Sequence, residues 1–134
     1  MPEMTIAHYP PADERGAERL RTATTAWSGL IGELHAVGLR PYLELEHGEH
    51  DDPLRLYCDL DDDLLLDVTI NDEGIPDTPA RSINGDWIVF IQGQDGYLAE
   101  VYIERSVTFP TLASRLADLV TAVAHGEHPL LETW

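Results

Sequence analysis

The stretch Leu54 to Ile70, LRLYCDLDDDLLLDVTI, constrains this chain most. It alternates twice. Leu54, Leu56, Cys58 and Leu60 fall on one side of an extended backbone, with Arg55, Tyr57 and Asp59 on the other. After Asp61-Asp62-Asp63 the pattern restarts, with Leu64, Leu66, Val68 and Ile70 against Leu65, Asp67 and Thr69. A period of two marks strands that bury one face. Three successive aspartates resist burial, since each charge would need a partner. The segment therefore predicts an antiparallel hairpin with an acidic tip.

The rest of the chain extends this hairpin into a sheet. Arg40 to Glu46 reads as a strand, with Leu43 and Leu45 inward and Tyr42, Glu44 and Glu46 outward. Trp87 to Ile91 reads as a strand covered on both faces or lying centrally, and Tyr97 to Glu104 as a fifth, joined by the turn Gly93 to Gly96. A short strand over Met4 to Tyr9 precedes Pro10-Pro11. Between Asp13 and Gly38, apolar residues including Leu20, Trp27, Leu30, Leu34 and Val37 recur at helical spacing. Gly29 and Gly32 are unusual inside such a helix, and close approach of a strand is one reason for them. A second helix starts near Thr108 to Pro110 and ends at Gly126, with Leu112, Leu116, Leu119 and Val123 inward. The tail, EHPLLETW, is extended and apolar enough to dock. The expected fold class is α+β: a five-stranded, mainly antiparallel sheet, with an N-terminal and a C-terminal helix packed on one face, in a single domain over 1–134.

In such a meander the turns alternate between the ends of the sheet. One end carries Glu49, Asp51, Asp52, Asp72, Glu73 and Asp77, and the other Asp61, Asp62, Asp63 and Asp95. The long loop over 71–86 belongs to the first end, and long loops in small domains tend to serve function.

Charge narrows the classes of partner. With 25 acids against 8 bases, the formal net charge is −17. Free nucleic acid and anionic membranes would be repelled, whereas a basic protein would be attracted and steered. Tyr42, Tyr57 and Tyr102 share their faces with Glu44, Asp59 and Glu100, a make-up common in protein-binding surfaces. Glu49, Asp51, Asp52, Tyr57, Asp59, Asp72 and Glu73 are the partner-binding residues expected from the sequence.

Other chemistries find little support. Phosphate-binding glycine loops, serine nucleophile elbows and partnered Cys/His arrangements are all missing, so an enzyme is not expected and no cofactor is implied. Cys58, the only cysteine, reads as a buried hydrophobe. His-Gly-Glu-His occurs twice, at 47–50 and 125–128. The spacing fits no zinc motif, so no metal is expected; His47, His50, His125 and His128 are the ligands available if the two copies met. Asp59, Asp61 and Asp63 alternate like a calcium loop, but lack its glycine and its final glutamate. No apolar run is long enough for a membrane span, and the N-terminus lacks the basic start and apolar run of a signal peptide, so a cytoplasmic protein is the default expectation.

The C-terminal segment from Phe109, FPTLASRLADLVTAVAHGEHPLLETW, adds a resemblance. Its helix, terminating Gly126, following Pro129 and final Trp134 resemble the end of small bacterial immunity proteins of polymorphic toxin systems, a family often paired with nucleic-acid deaminase toxins. Gly85-Asp86-Trp87 resembles a central Gly/Trp region of that family. Length and an actinobacterial-style composition also look similar. The resemblance implies a non-enzymatic protein that binds a cognate toxin and blocks its active site. A structural or secretion-chaperone-like partner protein and a small ligand-binding domain are the alternatives.

Overall fold

The computed structural model describes residues 9–70, 74–79 and 85–134. Its elements in chain order are α1 (Glu14–Ala26), α2 (Ser28–Ala36), β1 (Pro41–Leu45), β2 (Leu54–Asp59), β3 (Leu65–Ile70), β4 (Trp87–Gly93), β5 (Gly96–Ile103), α3 (Phe109–Ala124) and β6 (Leu130–Thr133). The fold is α+β, as the patterning predicts. The described sheet has six strands, in the order β1-β2-β3-β4-β5-β6. Strands β1 to β5 form an antiparallel meander, and β6 adds in parallel to β5. The sheet is therefore mixed and one strand wider than expected.

The extra strand is the apolar tail. Helix α3 carries the chain back along the sheet, the connection that a parallel neighbour requires. Glu100 N–H then donates to the Pro129 carbonyl at 2.8 Å, and Trp134 N–H to the Tyr102 carbonyl at 2.8 Å. Arg115 on α3 holds the Trp134 carbonyl at 2.7 Å.

The expected N-terminal helix is two helices, broken at Trp27, whose φ of −95° and ψ of 11° leave the helical range. The break serves the core. Trp27 is fully buried, lies edge-on to Trp87 with centroids 6.1 Å apart, and donates its indole N–H to the Pro76 carbonyl at 2.8 Å. A buried indole needs such an acceptor. The glycines have a different setting from the one expected. A Cβ on Gly29 would make only ordinary contact with Phe109 of α3, and one on Gly32 would meet nothing, so no strand approaches either. The Asp13 carboxylate caps α1 by accepting from Gly16 N–H at 2.9 Å.

One face of the sheet supplies Leu54, Leu56, Cys58, Leu66, Val68, Val89, Ile91, Val101 and Ile103 to the core, and all three helices close over it with Ala23, Leu30, Leu34, Leu112 and Leu116. Strand β2 alternates as expected, its core-side residues buried and Arg55, Tyr57 and Asp59 partly exposed. Strand β3 does not, for all six of its residues are buried. It is a central strand, paired with β2 on one side and β4 on the other. The expected strand over Met4 to Tyr9 lies outside the described residues except for Tyr9, which is not in a strand.

Candidate functional site: an acidic, tyrosine-bearing sheet face

The face of the sheet opposite the core cluster is built by register. Tyr42 sits opposite Tyr57, Tyr57 opposite Asp67, Asp67 opposite Phe90, and Phe90 opposite Glu100. Directly opposed residues point to the same side, so these side chains form one row across five strands. A second row runs from Asp59 through Leu65 and Gln92 to Tyr97. Thr69, Ile88 and Tyr102 form a third. Glu44 pairs with Arg55, which also donates to the Glu46 carboxylate at 3.3 Å.

Hydrogen bonds and rings lock the rows together. Tyr42 Oη donates to Asp59 Oδ1 at 3.0 Å, and the Tyr42 and Tyr57 rings lie 5.9 Å apart. Gln92 Nε2 donates to Asp67 Oδ2 at 3.3 Å, and Tyr102 Oη to Glu100 Oε2 at 3.2 Å. The Phe90 and Tyr97 rings stack at 5.0 Å, with Tyr97 56% exposed. Tyr9 N–H donates to Glu44 at the β1 edge.

The electrostatics are lopsided. Glu44, Glu46, Asp59, Asp67 and Glu100 share a face on which, among the described residues, Arg55 is the only base contributed by a strand. Asp67 is only 5% exposed, and Arg55 is its compensating charge. Burial opposes the Arg55 charge, but Asp67, Tyr57 and Glu46 outweigh that and hold the guanidinium more firmly protonated. Burial, with Asp67 beside it, pushes the Tyr57 phenol up to about 12. Burial and the bond to Asp59 push Tyr42 higher still. Both phenols stay neutral at physiological pH, so they present donors and ring faces among carboxylates.

The end holding the β1–β2 turn is organised differently. Asp52 folds that turn by accepting from His47 N–H at 2.9 Å and Glu49 N–H at 3.0 Å. Arg19 of α1 reaches over it, donating to the carbonyls of His50 at 3.0 Å and Asp52 and pairing with Asp77 at 2.8 Å. Asp52 and Asp77 therefore work within the chain, while Glu49 and Asp51 remain exposed. Asp72 and Glu73 lie outside the described residues. Tyr57 and Asp59 are brought together on the sheet face, away from Glu49 and Asp51.

The two His-Gly-Glu-His copies lie at opposite ends of the sheet. His47 and His50 are in the β1–β2 turn, whereas His125 and His128 follow α3, which runs the sheet's length in the other direction. His47 stacks edge-on with Tyr9 at 5.5 Å, and His50 Nδ1 lies 3.4 Å from Asp13. Among the described residues, no group of His, Cys, Asp or Glu side chains is placed to hold a metal ion. Burial pushes the Cys58 thiol up to about 12, which leaves it inert as a nucleophile near neutrality.

Sequence reasoning missed Asp67, Phe90 and Gln92 as members of the face. Strand alternation put Asp67 outward, but only the cross-strand register places it between Tyr57 and Phe90. No described helix is long and apolar enough to cross a membrane. Neither a family model, nor a curated protein, nor a solved structure matches the chain.

Proposed function

We propose that this chain is a non-enzymatic, cytoplasmic inhibitor that docks on a basic protein and occupies its cleft, the partner being a toxin that acts on nucleic acid. The observation that carries this reading is the row Tyr42–Tyr57–Asp67–Phe90–Glu100, where three aromatic rings and two carboxylates share one line across the sheet. Such a face suits a cleft built for phosphates. Its partly exposed carboxylates, Asp59 and Glu100, meet the cleft's Lys and Arg, and the rings of Tyr42, Tyr57 and Tyr97 anchor the contact once water leaves. The net charge of −17 steers the encounter. The C-terminal resemblance to immunity proteins points to the same class of partner. Tyr57 and Asp59 are the half-exposed contacts on this face, and Glu49, Asp51, Asp52, Asp72 and Glu73 add to the negative charge.

Co-expression with the protein encoded by the adjacent gene tests the reading. Survival that depends on this chain, and a co-purifying complex that falls apart at high salt, are expected. Unchanged survival together with no complex at low salt overturns it.

A second reading, a structural or chaperone-like partner docking at the sheet edge, draws on β6. Leu130 and Leu131 are 52% and 69% exposed there. Replacing both by Ser would then abolish complex formation, whereas the inhibitor reading leaves binding intact.

A further inference from the structure

The sheet end opposite the β1–β2 turn holds a cleft of about 440 Å³. It lies where α3 finishes over the β2–β3 hairpin. Its walls are apolar: Leu60 and Leu64 flank the hairpin turn, Ile91 forms the floor, and Val120 and Val123 descend from α3. Its rim is acidic at Asp61 and Asp62, and the Arg40 guanidinium lies across it. The volume falls within the usual range for ligand sites, roughly 300–1,000 Å³.

The hairpin turn that makes the rim is firmly shaped. Leu60 N–H donates to the Leu64 carbonyl at 2.9 Å, closing a loop in which Asp62 and Asp63 take left-handed backbone, with φ of 63° and 56°. Aspartate tolerates that conformation better than most side chains. The backbone therefore holds the carboxylates at the mouth of an apolar slot. Arg40 reaches Asp61 at 3.5 Å, with the two side chains 65% and 97% exposed. So exposed a pair contributes little, and an incoming cation can replace Arg40 at small cost.

We infer that this cleft receives an arginine or lysine side chain of the basic partner, its methylene stem against Leu60, Leu64, Val120 and Val123 and its charged end at Asp61 and Asp62. Long basic side chains bury their stems on apolar surface while the head stays polar, which is the pattern this slot offers. The charge complementarity selects a cation over an acyl or neutral apolar group. The inference rests on reading the chain as the partner of a basic protein, and it places an anchor point beyond the edge of the tyrosine row, next to Asp59.

The test uses hexylguanidinium as probe, with hexanoate as control of equal chain length, in a titration of the full-length, isotope-labelled chain followed by NMR. Saturable shifts at Leu60, Leu64, Val120 and Val123 are expected with hexylguanidinium, and binding of hexanoate about tenfold weaker or less, equivalent to 1.4 kcal/mol or more. The paired substitution Asp61→Asn/Asp62→Asn should weaken hexylguanidinium by a similar factor. Ala124→Trp, at an exposed position lining the mouth, should block it without disturbing the core. Equal binding of both probes, or shifts confined to other regions, overturns the inference. The probe needs no protein partner. Hexylguanidinium bound in the cleft while no basic protein binds the chain keeps the site and removes the partner reading. A basic partner bound equally well by Ala124→Trp removes the site and keeps that reading.

Discussion

Arg19 offers the sharpest test of how the β1–β2 end is built. Arg19→Met keeps the aliphatic stem and removes the guanidinium. That group makes three hydrogen bonds to Asp77, with Nε–Oδ1 at 3.3 Å, Nε–Oδ2 at 3.1 Å and Nη2–Oδ1 at 2.8 Å, and one each to the His50 and Asp52 carbonyls. The Asp77 side chain is 50% exposed, so the ion pair contributes at most about 0.5–1 kcal/mol. The two carbonyl bonds are charge-assisted, nominally about 1.5–3 kcal/mol each. Both carbonyls belong to half-buried turn residues that water can partly reach again, so the lower values apply. The expected loss is about 3–4 kcal/mol, or about 10–20 °C in Tm for a chain of this size. Asp77→Asn removes only the ion pair and should cost less than about 1 kcal/mol. Urea unfolding followed by fluorescence of the buried Trp27 and Trp87 reports both variants. Equal losses for Arg19→Met and Asp77→Asn would refute the assignment of the main role to the carbonyl bonds.

Four further outcomes follow from the same geometry. Gly48, at φ 83°, packs so that a Cβ would strike the Pro10 carbonyl, so Gly48→Ala should cost about 1–3 kcal/mol in thermal or chemical unfolding. Trp27→Phe keeps the ring packing but leaves the Pro76 carbonyl without its donor, at a cost of about 1–3 kcal/mol. Asp62→Val puts a β-branched residue in left-handed backbone and should cost about 1–2 kcal/mol, while Asp62→Gly should be near neutral. Tyr57 has a folded value raised to about 12 against about 10 when unfolded, so the fold favours its neutral form. Its contribution to stability is complete below about pH 10 and is lost as pH rises through about 12; ultraviolet titration of wild type and Tyr57→Phe should show this late ionisation, and a Tyr57 transition near 10 contradicts it.

Much of the fold could be read from local pattern. Leu54 to Cys58 and Leu66 to Ile70 had an unambiguous inward set, and their alternation determines which face meets the helices. Leu112, Leu116 and Leu119 did the same for α3. Trp27 was legible as core but not as the point where the helix breaks, because the break depends on Trp87 and Pro76, distant in sequence. The tail was legible as a docking segment. That it becomes β6 depends on an open edge at β5, which no local pattern records. The site was less legible than the fold. Alternation placed Tyr42, Tyr57 and Asp59 on the correct face, yet it carries no information on how strands slide against one another. Asp67 joins Tyr57 and Phe90 only through that register. Likewise, no local pattern separates Asp52 and Asp77 from free acidic surface, because Arg19, which binds that end together, lies on a separate helix.

The central claim is that a basic protein docks on the tyrosine and carboxylate face. Surface plasmon resonance with the adjacent gene's product, comparing wild type with Tyr42→Ala and Tyr57→Ala variants shown to be folded, tests it most directly. The association rate should fall about tenfold or more between about 50 mM and 500 mM salt, as screening shortens the reach of the acidic field. Each tyrosine variant should dissociate about tenfold or more faster, the effect of losing an aromatic anchor of about 1.4–2 kcal/mol. A salt-independent association rate, with dissociation unchanged in both variants, would contradict the account.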